Sequence, residues 1–217
     1  MLPQTGERQI AESIEGIKPN HRQRYQFAIN KIKERFCALE RPVSILDTAC
    51  GVGYGTMMIA EQVSSATGVD LNRSIIGVDI FQGAIDTANK FYKKENNEFM
   101  LCDISDEEDW PFKDTNFDAI VSIETIEHVE DQESLIKRYS DSTAFLIASV
   151  PNQMIVPFDR KAHPFHFKHF TKNEFQQLLN DYGFFIDVWA SQYNKVPGIV
   201  YEDADDGMGF IVSASKK

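Results

Sequence analysis

Long apolar runs are missing from this sequence of 217 residues. No stretch approaches the roughly 18 apolar residues that a helix needs to cross a bilayer. The N-terminal segment MLPQTGERQI also lacks the apolar centre of a secretory signal peptide. We therefore expect a cytoplasmic protein without membrane insertion, and the length suits a single domain with one well-filled core.

Cysteine is scarce, because the chain has only Cys37, Cys50 and Cys102, at unrelated spacings. An odd number without paired spacings indicates neither a disulfide framework nor a zinc site. We expect three reduced thiols, in keeping with a reducing compartment.

Positive charge is also in short supply. The 22 lysines and arginines are outnumbered by 33 aspartates and glutamates, which gives a formal net charge of -11. Proteins that bind nucleic acid usually present a basic face, since neutralising phosphates supplies much of their affinity. The acidic balance therefore disfavours nucleic acid and a membrane surface as partners; a homo-oligomer is left open.

Short apolar strands alternate with helical stretches along the chain, which predicts a mainly parallel α/β sheet covered by helices on both faces. A capping box, Thr171 to Glu174, opens a late helix that should end near Gly183. The acidic run at residues 202–206 is expected to be a solvated loop. The predicted strands are residues 43–46, 75–79, 99–102, 119–123, 145–148, 184–190 and 209–214.

A short tandem duplication makes the end of the second strand ambiguous. Residues 68–76 and 77–85 share Gly-Val-Asp, an aliphatic fourth residue and a final Ile. Either Asp70 or Asp79 could therefore end that strand. We favour Asp79, because Ile75-Ile76 makes a better buried strand than residues 65–67.

The segment from Asp47 to Gly55 has an acid at the end of a strand, followed by three glycines at alternate positions. In a doubly wound sheet such a turn lies at the carboxyl ends of the strands, where ligands bind. A pyrophosphate site favours a positive helix end without an adjacent carboxylate. A ligand with an ammonium group and a sulfonium, but no phosphate, fits Asp47 better.

Two further acids follow the next two strands. Asp79 can accept hydrogen bonds from the vicinal hydroxyls of a ribose, and Asp103 can accept one from the exocyclic amine of adenine. Each acid alone is a weak signal, since aspartates often cap turns. One acid at each successive strand end indicates an adenosyl ligand.

Four motifs carry a resemblance to a known family: residues 5–8 (TGER), 21–28 (HRQRYQFA), 46–55 (LDTACGVGYG) and 122–128 (SIETIEH). They resemble the class I S-adenosylmethionine-dependent methyltransferases, and within them a bacterial subgroup associated with surface-polysaccharide and glycan biosynthesis. The resemblance implies a Rossmann-like, doubly wound, seven-stranded sheet with a C-terminal antiparallel strand, and S-adenosylhomocysteine as product.

The resemblance also implies one methyltransferase domain over residues 1–217, with residues 1–40 as an N-terminal helical lid and residues 152–170 as the acceptor-site loop. Phe158, Phe165, Phe167 and Phe170 of this loop could anchor it or stack on an acceptor, and we expect anchoring. The expected cofactor contacts are Asp47, Ala49, Gly51, Gly53, Tyr54, Asp79, Ile80, Asp103, Ile104 and Glu124.

The chemistry of the reaction is expected after the fourth strand, in Glu124-Thr-Ile-Glu127-His128. If a helical turn starts at Glu124, the two glutamates and His128 share one face. Methyl transfer needs a base only where the acceptor must lose a proton, and histidine is the commonest general base. We therefore expect His128 to be catalytic, with Glu127 beside it.

A metal-dependent alternative exists for the same segment. Ubiquinone-pathway O-methyltransferases and small-RNA 2′-O-methyltransferases have a similar E-x-x-E-H, which in the RNA enzymes binds a divalent metal together with a later histidine. Here the later histidine could be His163, His166 or His169. The corresponding set is Glu124, Glu127, His128 and His166, although we expect the metal-free chemistry.

Three functions compete at this point. The first is methyl transfer to a hydroxyl group of a small molecule or of a sugar or glycan. The second is a metal-dependent RNA 2′-O-methyltransferase, which the negative net charge disfavours. The third is a non-catalytic S-adenosylmethionine-binding partner in a glycan-assembly complex.

The two candidate acids of the second strand can be separated by calorimetry. Asp79→Ala should weaken S-adenosylmethionine binding much more than Asp70→Ala, because we expect only Asp79 to hold the ribose. Equal or reversed losses of affinity would overturn the assignment of the strand end.

Overall fold

The computed structural model describes residues 9–36, 38, 39, 41, 43–65, 75–193 and 198–217. The strands are β1 (Ile45–Thr48), β2 (Ile75–Asp79), β3 (Asn97–Leu101), β4 (Ala119–Ile123), β5 (Phe145–Pro151), β6 (Phe184–Tyr193), β7 (Ile199–Glu202) and β8 (Gly209–Lys216). The helices are α1 (Pro19–Phe36), α2 (Tyr54–Ser65), α3 (Gln82–Phe91), α4 (Gln132–Ser142) and α5 (Lys172–Asp181), with short 3-10 helices at Ile14–Gly16 and Ile126–His128.

All eight strands form one sheet in the order β3-β2-β1-β4-β5-β8-β6-β7. Strands β1 to β5 pair in parallel. Strand β8 is antiparallel to both of its neighbours, β5 and β6, and β7 is antiparallel to β6. The prediction of a Rossmann-like α/β fold with a mostly parallel sheet is confirmed.

The predicted number of seven strands is wrong, because the described residues contain an eighth. Strand β7 pairs with the second half of β6, which runs on to Tyr193 instead of ending at residue 190. Glu202 ends β7, so the acidic run begins in a strand and not in a loop. The extra edge strand follows from the β-prone side chains of Val200 and Tyr201, next to a paired partner.

Consecutive residues of the strands contribute to two hydrophobic clusters, one on each side of the sheet. Ile45 packs in the cluster that also contains buried residues of α1, α2 and α3, whereas Leu46 packs in the cluster of α4 and α5. Residues 145–148 alternate between the clusters in the same way. A sheet that is buried on both faces explains why its strands are continuously apolar.

The order of the strands reverses between β1 and β4, which are neighbours in the sheet. From β1 the chain builds outward through β2 and β3, and from β4 it builds outward through β5 in the opposite direction. Such a reversal opens a crevice at the carboxyl ends of the two strands. Ala49 and Glu124, just beyond those ends, have positive φ angles of 53° and 50°. Non-glycine residues in this region are strained, and such strain concentrates at functional sites.

Two local predictions are confirmed at α5. The Thr171 side chain accepts from the backbone N–H of Glu174, and the Glu174 side chain accepts from that of Thr171, which completes the capping box. Gly183 follows the helix with a φ of +82°. In the part of the chain that the structure describes, no helix is long and apolar enough to span a bilayer.

Helix α1 is fastened to the end of β1 through the buried carboxylate of Asp47. The Tyr25 hydroxyl donates to Oδ1 at 3.1 Å, and the Thr56 hydroxyl donates to Oδ2 at 2.6 Å. The Tyr25 ring lies so close to α2 that a Cβ on Gly55 would be 2.0 Å from its Cζ. Only glycine fits at position 55, and α1, β1 and α2 meet at this carboxylate.

Burial raises the pKa of Asp47 from 3.8 to about 7, although the hydrogen bonds from Thr56 and Tyr25 lower it. The folded protein therefore keeps a proton on Asp47 that the unfolded chain loses near pH 4. Because the folded state binds more protons in this window, this contribution to stability declines as the pH rises from about 4 to about 7.

Asp47→Asn should remove this contribution. Relative to the variant, we expect the wild type to lose on the order of 1 kcal/mol of unfolding free energy per pH unit across that window. Urea unfolding of both proteins at several pH values measures the difference. His21, His166 and His169, whose pKa values are lowered, act in the opposite direction but equally in both proteins. Parallel pH curves would contradict the prediction.

Candidate active site

A cavity of about 610 Å³ opens where the strand order reverses, at the carboxyl ends of the parallel strands. Its volume is typical of a site for a small molecule. Most of the sequence-predicted cofactor residues and the predicted base line it, namely Ala49, Gly51, Tyr54, Asp79, Ile80, Asp103, Ile104, Glu124 and His128.

Two predicted cofactor residues do not line the cavity. Asp47 is fully buried below the loop and bonded to Tyr25 and Thr56, so its carboxylate supports the loop from beneath. Gly53, with a φ of +91°, packs so closely that a Cβ would be 2.6 Å from the Phe99 ring. The sequence pattern identified the loop but could not tell its lining residues from its supporting ones.

Asp79 is held in a fixed orientation at the end of β2. Its Oδ2 accepts from the Gly51 N–H at 3.0 Å, and its Oδ1 accepts from the Phe81 N–H at 2.9 Å. These two backbone bonds fix the carboxylate at the wall of the cavity, which Asp79 lines. The competing residue of the tandem duplication, Asp70, lies outside the described residues.

Asp103 follows β3 and is anchored in a similar way. Its Oδ1 accepts from both the backbone N–H and the hydroxyl of Ser105, at 2.9 and 2.6 Å. Ile80, with 60% of its surface exposed, and Ile104 provide apolar walls nearby. The arrangement offers hydrogen-bond acceptors at the ends of two strands and apolar contact between them.

The charges around the cavity suit a cationic ligand. Asp79, Asp103 and Glu124 supply three carboxylates, and none of the described lining residues is a lysine or arginine. A phosphate-bearing dinucleotide would meet no lysine or arginine among these described lining residues. A ligand with an ammonium group and a sulfonium fits these carboxylates.

Glu124 is fixed by Ser149 and Arg24. The Ser149 Oγ accepts from the Glu124 N–H at 2.9 Å and donates to Oε1 at 2.8 Å. The Arg24 guanidinium of α1 lies 3.3 Å from Oε2. Burial alone would raise the pKa of Glu124, but Arg24 and the Ser149 hydrogen bond hold that pKa below its usual value. The carboxylate is therefore ionised at neutral pH.

The expected helical turn starting at Glu124 is wrong. The 3-10 helix covers only Ile126–His128, and Glu124 precedes it in a left-handed conformation. The two glutamates consequently diverge. Glu124 lines the cavity, whereas Glu127 is completely buried and does not line it.

His128 and Glu127 meet His166 of the long loop after β5. One carboxylate oxygen of Glu127 and one ring nitrogen of each histidine lie within 4.8 Å of one another. The rings of His128 and His166 are 4.4 Å apart in an edge-to-face arrangement. The predicted catalytic pair is thus joined by one of the three histidines considered as a later metal ligand.

The orientation of His128 follows from a single hydrogen bond. Its Nδ1 lies 3.1 Å from the carbonyl oxygen of Phe165. A carbonyl can only accept, so Nδ1 carries the hydrogen and a neutral ring has its lone pair on Nε2.

The loop after β5 is pinned to the same turn, because the Phe167 N–H donates to the Glu127 carbonyl at 2.7 Å. Phe170 is 1% exposed and anchors the loop as expected. Phe165 and Phe167 are 50% and 37% exposed and line the cavity. Anchoring therefore describes Phe170, whereas two of the four phenylalanines form part of the wall.

Sequence reasoning missed several other lining residues. Gln9 and His21 come from the N-terminal segment, and Cys50 and Cys102 contribute buried thiols next to the loops. Burial and the nearby charge of Arg24 lower the pKa of His21 to about 4, so its ring is neutral. The helical motif at residues 21–28 was the available signal for His21, but its basic side chains favoured a solvated face.

Comparison with known proteins agrees with this architecture. A family model described as a methyltransferase domain matches residues 20–187. A probable S-adenosylmethionine-dependent methyltransferase of Mycobacterium tuberculosis is 28% identical over 219 residues, covering 99% of this chain and 72% of that protein. The likeness extends well beyond the glycine loop.

Two solved structures have the same fold. A possible histamine N-methyltransferase of Thermotoga maritima is 19% identical, with a TM-score of 0.63 over 91% of each chain. The magnesium protoporphyrin IX methyltransferase of Synechocystis PCC 6803 with bound S-adenosylhomocysteine is 15% identical, with a TM-score of 0.63 over 91% of this chain and 84% of that one. The family match covers most of the chain, and with the relative it identifies the chain as a member of the methyltransferase domain family and an S-adenosylmethionine-dependent methyltransferase.

Proposed function

We propose that the enzyme methylates a hydroxyl group of a small molecule or of a sugar in a glycan, with His128 as general base. The observation that carries the proposal is the hydrogen bond from His128 Nδ1 to the Phe165 carbonyl, which leaves the lone pair on Nε2 of a residue that lines the cavity. A hydroxyl must lose its proton during methylation, so a base beside it accelerates the reaction. The sugar part rests on the motifs shared with the glycan-associated subgroup.

In this proposal S-adenosylmethionine supplies an electrophilic methyl group on a sulfonium, for an in-line displacement that depends on positioning. The residues of the chain orient the acceptor and remove its proton. As the hydroxyl oxygen bonds to the methyl carbon, the carbon–sulfur bond breaks, S-adenosylhomocysteine leaves, and the hydroxyl proton passes to His128 Nε2. The buried carboxylate of Glu127, which has an oxygen within 4.8 Å of a ring nitrogen of His128, stabilises the imidazolium.

The proposed cofactor contacts divide into two groups. Asp79 holds the ribose hydroxyls and Asp103 the adenine amine, supported by their fixed positions at successive strand ends. The residues that line the methionine end are Ala49, Gly51, Tyr54 and Glu124. We assign Asp47 and Gly53 to the support of the loop, and Ile80 and Ile104 to the apolar walls around the adenine ring.

The proposed division of the chain follows the same site. Residues 1–217 act as one domain, in which the segment up to residue 40 covers the cofactor end and residues 152–170 receive the acceptor. The contacts of Tyr25 and Arg24 with Asp47 and Glu124 support the first role. The exposed rings of Phe165 and Phe167 support the second. A cytoplasmic location stays a prediction from the sequence, and a homo-oligomer stays open.

His128→Ala should lower kcat by about 10²- to 10⁴-fold, because the acceptor hydroxyl loses its base. Turnover is measured as the formation of S-adenosylhomocysteine in reactions with a panel of acceptors: free sugars, glycosides, phenols and amines. Calorimetry with S-adenosylmethionine serves as the control, and its affinity should be unchanged in the variant. A collapse of cofactor affinity would assign His128 to the cofactor site, and methylation of amines alone would overturn the hydroxyl proposal.

The convergence of Glu127, His128 and His166 favours a second candidate, the metal-dependent RNA 2′-O-methyltransferase. A carboxylate and two imidazoles can bind a divalent transition metal and leave positions open. The predicted fourth ligand, Glu124, is instead bonded to Ser149 and Arg24. The net charge of -11 does not favour an RNA partner.

Removal of divalent metals separates these candidates. Dialysis against EDTA should leave turnover of a hydroxyl acceptor unchanged, since the proposed base acts without a metal. Parallel samples with added Mg²⁺, Mn²⁺ or Zn²⁺ should show the same rate. Loss of turnover that one of these ions restores, with an RNA 3′ end as the better acceptor, would establish the second candidate instead.

A further inference from the structure

An arginine is held at the acceptor side of the cavity. Arg160 Cζ lies 5.0 Å from the centre of the Phe167 ring, and Arg160 Nη1 donates to the His166 carbonyl at 2.9 Å. Phe167 lines the cavity, and its N–H donates to the Glu127 carbonyl at 2.7 Å. The guanidinium is therefore fixed next to a wall of the cavity, behind the turn that carries His128.

Most donors of this guanidinium are left for a ligand. An arginine has five N–H donors in a planar fork, and the contact with His166 uses one of them. The Arg160 residue is exposed, and no carboxylate in the described part of the chain forms an ion pair with it. The neighbouring Asp159 carboxylate accepts instead from the Lys161 N–H at 2.8 Å. Arg160 thus combines a fixed position with an uncompensated charge.

The two sides of the cavity differ in charge. Asp79 and Asp103 follow β2 and β3, and β1 and β4 separate those strands from β5 and the loop after it. Residues 152–170 of that loop have one acid and three lysines or arginines, although the whole chain has 33 acids and 22 lysines or arginines. An anion is therefore favoured on the loop side and disfavoured on the cofactor side.

The other two cations of the loop are placed differently. Lys168 Nζ lies 3.2 Å from the Glu174 carboxylate and 5.0 Å from the centre of the Phe170 ring, so it packs the loop against α5. Lys161 is exposed and has no ring contact within the described structure. Of the three, Arg160 is the one that contacts a wall of the cavity.

We propose that Arg160 binds an anionic group of the acceptor, a carboxylate or a phosphate, and that the methylated compound is an acidic sugar or another hydroxy acid. The inference rests on the proposed function, because it concerns the acceptor of that reaction. A guanidinium fork matches two oxygens of such a group and fixes its orientation as well as its position. The ring of the acceptor can then pack on the exposed Phe165 and present its hydroxyl to His128.

Matched acceptors test the choice of an anion. One set is methyl glucoside, methyl glucuronide and methyl glucoside 6-phosphate, and the other is 4-hydroxybenzamide, 4-hydroxybenzoate and 4-hydroxyphenyl phosphate. Within each set the compounds share a hydroxyl-bearing ring and differ in the neutral, carboxylate or phosphate group. The second compound of a set reports on a carboxylate and the third on a phosphate.

Three variants of the full chain test the residue. Arg160→Gln removes the charge and keeps an amide that can donate to the His166 carbonyl. Arg160→Lys keeps the charge but has no planar fork. Lys161→Gln is the matched control, since it removes the same charge from the next residue without touching the wall of the cavity.

Two quantities are measured for every protein: kcat/KM, and acceptor affinity by calorimetry with S-adenosylhomocysteine bound. The wild type should prefer an acid to the neutral compound of its set. In Arg160→Gln this preference should fall by about 10- to 100-fold, mainly through KM, the range for loss of hydrogen bonds to a charged group. Arg160→Lys should be intermediate, and Lys161→Gln should keep the preference of the wild type.

The proposal is wrong if no acid binds better than its neutral counterpart, which includes a panel in which no acid binds measurably. An unchanged preference in Arg160→Gln, or an equal loss in Lys161→Gln, would also overturn it. Binding is measured without methyl transfer, so the two proposals can fail separately. If acids bind through Arg160 but His128→Ala keeps its turnover, the proposed base is wrong. If His128→Ala is impaired but acids and neutral compounds are used equally, the role of Arg160 is wrong.

Discussion

The buried carboxylate of Asp47 is the point on which the cofactor end of the sheet depends. It lies one residue before the end of β1, accepts from Tyr25 of α1 and Thr56 of α2, and directly precedes the glycine loop. A protonated carboxyl tolerates this burial better than a charged one, in agreement with its raised pKa. The loop conformation therefore relies on a group that the ligand cavity does not contact.

Helix α1 is held at a second point, on the other side of the strand reversal, where Arg24 pairs with Glu124. The two ties join one helix to the ends of β1 and β4, the strands between which the crevice opens. Glu124 keeps a strained backbone there because Ser149 bonds both its N–H and its carboxylate. Strain of this kind persists only where the surroundings over-determine it. The N-terminal helix is thus part of the wall of the site.

Much of the fold was predictable because it depends on local patterns. The pattern of an apolar strand followed by one acid predicted the places of Asp79 and Asp103 at the edge of the cavity. The capping box predicted the start of α5. Helix α4 was not predicted, since polar residues surround the buried Leu135 and Ile136. The burial of Asp47 and the divergence of Glu124 from Glu127 were also missed, because both depend on contacts with distant elements.

Phe165 has two separate parts to play at the mouth of the cavity. Its ring forms a wall and is half exposed, whereas its main-chain carbonyl receives the Nδ1 hydrogen of His128. Because every amino acid has that carbonyl, evolution can exchange the side chain for another shape without disturbing the imidazole. A change of side chain at position 165 can therefore reshape the mouth of the cavity while the proposed base keeps its orientation.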